Sequence, residues 1–170
     1  MTWYLRLVDR LCDAGAAAAG LLLLGLFGLG FVEIVLRAVF AVSLSVAVEY
    51  SGYLLILSLF LGSGWTLRQG GHIRVSLLAE KLSPANRRRL DIVCTLLGLL
   101  IAGFLAYSVL RFGLGTLARG TVSYYPSATP LAYPQLMLAA GPCLLTLAFS
   151  ARLIRLLRGE PPDLGPAAEG

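Results

Sequence analysis

At 170 residues, 58% apolar, 14% charged and net +5, the chain is too apolar for an ordinary soluble domain, which is nearer half apolar and a quarter charged. Its basic residues gather at the ends of apolar runs, not in a stripe with stacking aromatics, which excludes a nucleic-acid binder. A single histidine, His72, and three scattered cysteines exclude a two-histidine haem site, a zinc cluster or a close-spaced disulfide pair built from this chain alone.

Residues 14–32, 50–67, 92–110 and 120–151 carry no Asp, Glu, Lys or Arg. A run of 18 or 19 residues makes a helix of roughly 28 Å, close to the hydrocarbon thickness of a bilayer. Three such runs, and a fourth of 32 residues whose first half is crowded by Pro126, Pro130 and Pro134, predict an all-α integral membrane fold with spans at about 14–39, 46–67, 90–112 and 134–157. Residues 1–158 then form one four-helix membrane domain, and the Pro/Gly-rich residues 159–170 a disordered cytoplasmic tail. No cofactor is called for and no catalytic constellation is visible, so the chain is read as a non-enzyme.

The first span follows an amphipathic lead-in, Trp3 to Asp13. It is not read as a cleaved signal peptide: the run exceeds the usual length of about 7–15 residues, and Glu33 and Arg37 continue its helical pattern. Ala16 and Gly20 have small-xxx-small spacing, which suits close helix contact. Glu33 and Arg37 are four apart on one face near the outer end, and Glu49 opens the second helix on the same side. The simple reading of the first two is an i,i+4 pair; the sharper one is a contact with another subunit. Within the second span, Gly62-Ser63-Gly64 falls short of an intramembrane protease motif, because Leu61 stands where glycine is needed. Ser63 is therefore a small packing residue.

After Gln69-Gly70-Gly71 the pattern changes. Val75, Leu78, Ala79 and Leu82 fall on one face, flanked by Arg74 and Lys81, which predicts a short interfacial helix between the second and third spans. Ser83-Pro84 is a helix start. The third helix is expected to run to Phe112, about 43 Å long, so its first turns with Arg87, Arg88 and Arg89 must stand at the membrane surface. The fourth is expected from Pro134 to Leu157, with Pro142 as a candidate kink. No charge is expected near the middle of any span.

Orientation follows from Lys and Arg. Arg6, Arg10, Arg68, Arg74, Lys81, Arg87, Arg88, Arg89, Arg152, Arg155 and Arg158 lie on one side; only Arg37, Arg111 and Arg119 lie on the other. Both termini are therefore expected in the cytoplasm.

The order of residues carries more. Arg37-x-x-Phe40, Glu49 with Tyr53 four residues on, Leu61-Gly62, Arg68, and Gly71-His72-Ile73-Arg74-Val75 with Leu77-Leu78 resemble the small membrane subunit, or Q component, of tripartite ATP-independent periplasmic (TRAP) transporters. The chain departs from that family's usual residues at Ala41, Val46, Val48 and Ser76. The resemblance implies a bacterial inner-membrane accessory subunit for uptake of organic acids. Its partners would be a large membrane subunit, which carries the substrate and sodium sites, a periplasmic solute-binding protein, and the lipid bilayer. Glu33, Arg37, Phe40, Glu49, Tyr53 and the Gly71–Val75 stretch are then candidate subunit-interface or family-motif positions; Val75, Leu78, Leu82 and Arg87–Arg89 are candidate membrane-surface positions. The alternatives are a self-sufficient small oligomeric transporter and a membrane anchor for an enzyme complex.

Overall fold

The structure, a computed structural model, describes residues 2–70, 83–162 and 164. It contains four long helices: α1 (Thr2–Phe40), α2 (Ala47–Arg68), α3 (Pro84–Arg119) and α4 (Ala132–Arg158). Each is long and apolar enough to cross a membrane, so the fold is the all-α, multi-pass one expected from the charge-free runs. The one β feature among the described residues is a bridge between Val122 and Pro130 in the α3–α4 loop. The expected interfacial helix at Val75–Leu82 lies outside the described residues.

Two helices are longer than expected. α1 has 39 residues, about 58 Å, because the Trp3–Asp13 lead-in joins the span without a break. α3 continues past Phe112 to Arg119. Nothing between 113 and 119 ends a helix: Gly113 and Gly115 weaken one in water, but a packed membrane helix tolerates them. The stop comes at Gly120, whose φ of 62° is the left-handed cap that glycine adopts without strain. One consequence corrects the sequence reading. Arg111, expected in the last turn of its span, lies two turns before the end of α3.

Ser83 holds the N-cap position of α3 with extended backbone, yet its side chain makes no capping bond. Its carbonyl accepts the Arg87 N–H at 2.9 Å instead. Pro142 sits buried within a continuous α4.

The helices pack in the order α1, α2, α4, α3. α2 and α4 touch each other in the middle, α1 lies on α2 and the inner part of α4, and α3 lies on α4. Small residues set these distances. A Cβ on Gly141 would stand 2.5 Å from Phe60 Cβ and 2.8 Å from its carbonyl carbon, so α2 and α4 meet backbone to backbone there. A Cβ on Gly15 would reach 2.9 Å from the Leu61 carbonyl oxygen. The buried stripe of α1 is Leu5, Val8, Cys12, Gly15 and Ala19, alternating steps of three and four as in a coiled-coil seam. Gly20, whose spacing from Ala16 suits close contact but is as readily coincidence in an Ala/Gly-rich run, is off this seam and has nothing within 4 Å of its Cβ direction.

Burial is lopsided. Leu5, Val8, Cys12, Leu67, Leu144, Ala148 and Ala151 form the core cluster, all toward the end where α1 begins and α4 finishes. The other half of α1 exposes Leu21, Leu24, Phe27, Phe31 and Ile34, side chains suited to lipid or to another apolar surface.

Candidate functional site

The polar residues collect at the two ends of the bundle. At the core-rich end, Asp9 of α1 accepts from Arg155 Nη2 of α4 at 2.8 Å on both carboxylate oxygens. Arg68, the last residue of α2, donates to the Asp9 backbone carbonyl at 2.5 Å and pairs with the Asp13 carboxylate. The side chains of Arg155 and Arg68 are only 7% and 10% exposed. Charges so deeply placed are stable only when paired and hydrogen-bonded. Around them, Tyr4 and Ser150 share a hydrogen bond of 2.6 Å, Arg152 Nε donates to Thr95 of α3 at 3.3 Å, and Arg88 caps α4 through the Leu156 carbonyl at 2.9 Å. Leu164 N–H reaches the Arg68 carbonyl at 2.9 Å. All four helices are thereby tied at one end.

At the opposite end Glu33 staples the α1–α2 connection. Its Oε1 accepts from Arg37 and from Ser43 Oγ, each at 2.7 Å, and its Oε2 accepts the Leu44 N–H at 2.7 Å. The i,i+4 pair read from spacing is thus present. Arg37 itself remains 68% exposed, and Phe40 beside it is exposed.

Glu49 has a different setting. It is 4% exposed, takes the Tyr53 hydroxyl on Oε1 at 2.7 Å, and takes the Ser127 hydroxyl on Oε2. Thr129 donates to Ser127 at 3.0 Å and shares a 3.2 Å hydrogen bond with Tyr50. The start of α2 thereby holds the α3–α4 loop through hydroxyls, with Tyr124 of that loop fully exposed. Buried inside its own chain, Glu49 shapes a surface rather than forming one.

Of the remaining sequence candidates, Arg87 and Arg89 are exposed on the first turns of α3. Gly71, His72, Ile73, Arg74, Val75, Leu78 and Leu82 lie outside the described residues. Ser63 spends its hydroxyl on the Phe60 carbonyl of its own helix at 2.6 Å, as a packing residue does. Among the described residues no group of three or more His, Cys, Asp or Glu could hold a metal ion.

Sequence reasoning missed the Asp9–Arg68–Arg155 cluster. One signal was available: Asp9 and Asp13 are four apart and border the Leu5–Val8–Cys12 seam. No local signal marks Ser127 as the partner of Glu49.

The pattern of ties fits a helical membrane subunit whose polar groups fasten helices and loops, and comparison with protein families decides which. Residues 26–159 match the family described as tripartite ATP-independent periplasmic transporters, DctQ component. The chain belongs to this family. The resemblance carried by Arg37, Glu49, Arg68 and the Gly71–Val75 stretch is therefore correct, and the DctQ chain is a non-catalytic membrane subunit of a TRAP transporter. Comparison with curated proteins and with solved structures gives no match. The match takes in Glu33, Arg37, Glu49, Arg68 and Arg155 but begins after Asp9 and Asp13. The Asp9–Arg68–Arg155 network thus joins residues inside the family region to a helical turn that precedes it.

Proposed function

We propose that this DctQ chain is a scaffold subunit for uptake of organic acids: it braces the large membrane subunit and helps to dock the periplasmic binding protein. The observation that carries the reading is where its charge is used. Asp9, Asp13, Arg68 and Arg155 lock helix ends together, and Glu33 and Glu49 lock loops. Groups committed to such ties hold a shape; they are not free to exchange an ion or an anionic solute during a transport cycle. The α3–α4 loop, pinned by Glu49 and presenting Tyr124 and Tyr125, supports a docking role on the outer side. In this reading residues 1–158 are the membrane domain, both termini face the cytoplasm of a bacterial inner membrane, and the exposed Arg87 and Arg89 lie against its headgroups.

The test is reconstitution. In liposomes with a binding protein, its organic-acid ligand and a sodium gradient, this chain alone gives no uptake, and adding the large subunit gives uptake. Robust uptake by this chain alone overturns the scaffold role. Reporter fusions after Gly159 and at Ser83 check the orientation: both read as cytoplasmic, and a periplasmic signal at either place overturns it.

A further inference from the structure

Among the described residues, Arg111 is a charge within a helix that no ion pair accounts for. It sits on α3, eight residues before the helix ends at Arg119, which is about 12 Å along the axis. Its neighbour Gly113 abuts Leu136, whose side chain would come within 2.8 Å of a Cβ there. Leu136 is itself four residues inside α4, so Arg111 lies about 9 Å below the level where α4 begins. The guanidinium is turned deeper still: Nη1 donates to the Tyr107 hydroxyl at 3.3 Å, and the group lies 5.8 Å from the centre of that ring.

Arg111 faces away from its own bundle. The inward seam of α3 is Thr95, Ala102, Ala106, Gly113 and Thr116, all buried. Arg111 is exposed, as are Phe104 at 72% and Tyr107 at 58%. Among the described residues no carboxylate pairs with it; its only partner is Tyr107. Ionisable groups within membrane spans almost always face a protein interior and pair there. A guanidinium on the lipid side with a tyrosine hydroxyl as its sole partner is an incomplete site.

We propose that the Phe104–Tyr107–Arg111 face of α3 is the docking surface for a membrane helix of the large subunit, and that this helix brings a carboxylate to Arg111. This rests on the scaffold reading above and names the surface it uses. The apolar face supplies packing area; the planar guanidinium supplies a two-pronged match to a carboxylate that fixes the register of the two helices. α3 is free to serve, because it packs on α4 and leaves its opposite face open.

The experiment uses the co-expressed complex in native membranes. A benzophenone amino acid replacing Phe104 crosslinks to the large subunit on irradiation. Arg111→Glu lowers recovery of the large subunit about tenfold, since like charges then meet in a desolvated contact. Exchanging the acid found at the crosslink for Arg restores recovery with Arg111→Glu. Because the one hydrogen-bond partner of Arg111 among the described residues is Tyr107, the variant keeps its own fold, checked by an unchanged melting temperature. A crosslink confined to lipid or to a second copy of this chain, or full recovery with Arg111→Glu, overturns the proposal while leaving the scaffold role standing. Failure of the unaltered chain to recover any large subunit overturns both.

Discussion

A carboxylate that bridges two buried guanidinium groups is worth most when it is removed. Asp9 is such a residue, bound to Arg155 through both oxygens and lying beside Arg68. Asp9→Ala leaves Arg155 charged, almost fully buried and without its anion, and should cost on the order of 3 kcal/mol. The loss is read as a lower melting temperature in mild detergent; a shift of less than a degree would show the pair to be idle. Glu49 gives a second prediction. Glu49→Ala leaves the hydroxyls of Tyr53 and Ser127 without their acceptor, at a cost of about 1–3 kcal/mol. The α3–α4 loop should then be cut faster by a protease added to detergent-solubilised protein, at Tyr124 or Tyr125, while Glu49→Gln, which keeps an acceptor, stays closer to the parent rate. Equal cleavage in all three chains would mean that the loop is held by other means.

Helices are where the amino-acid order is most legible. Charge-free runs announced all four, because the bilayer demands a minimum apolar length and a fully hydrogen-bonded backbone. The ends were less legible. α3 was expected to stop near Phe112, since charge returns at Arg111, yet charge does not end a helix, and the backbone stops only where Gly120 allows a left-handed turn. The candidate site divides in the same way. Glu33 and Arg37 are close in sequence, and their pairing is one of the two readings that the spacing allows. Asp9 with Arg155, and Glu49 with Ser127, join segments far apart in the chain, and only the folded bundle brings them together. Packing of α2 on α4 yields a prediction at this scale. Gly141→Ala puts a methyl group against Phe60 Cβ and backbone and should destabilise by about 1–3 kcal/mol. The same change at Gly25, which has open space around it, should be silent in the isolated chain. If both are silent, α2 and α4 are not in backbone contact.

Taken whole, the molecule has its core and its ion-pair network at one end, loops tied by Glu33 and Glu49 at the other, and open apolar faces along much of its length. The first residues of α1, the last of α2 and the last turns of α4 share one core and one charge network. Beyond Ala19, α1 has no buried residue. A subunit made this way can present long apolar faces to a partner without losing its own shape, because its cohesion does not depend on those faces. That division fits a scaffold better than a machine that must open and close around a solute.

The same fastening orders the protein's birth. Asp9 leaves the ribosome well before Arg155, its partner; 146 positions separate them. α1 must therefore enter the bilayer and wait, unlocked, while the other three helices are synthesised. A chain truncated after Gly141 should insert but never close, leaving Cys12, fully buried in the finished bundle, open to a thiol reagent. In a background where Cys94 and Cys143 are serine, labelling of Cys12 would time the moment of closure, and equal protection in the truncated and full-length chains would show that α4 is not the latch.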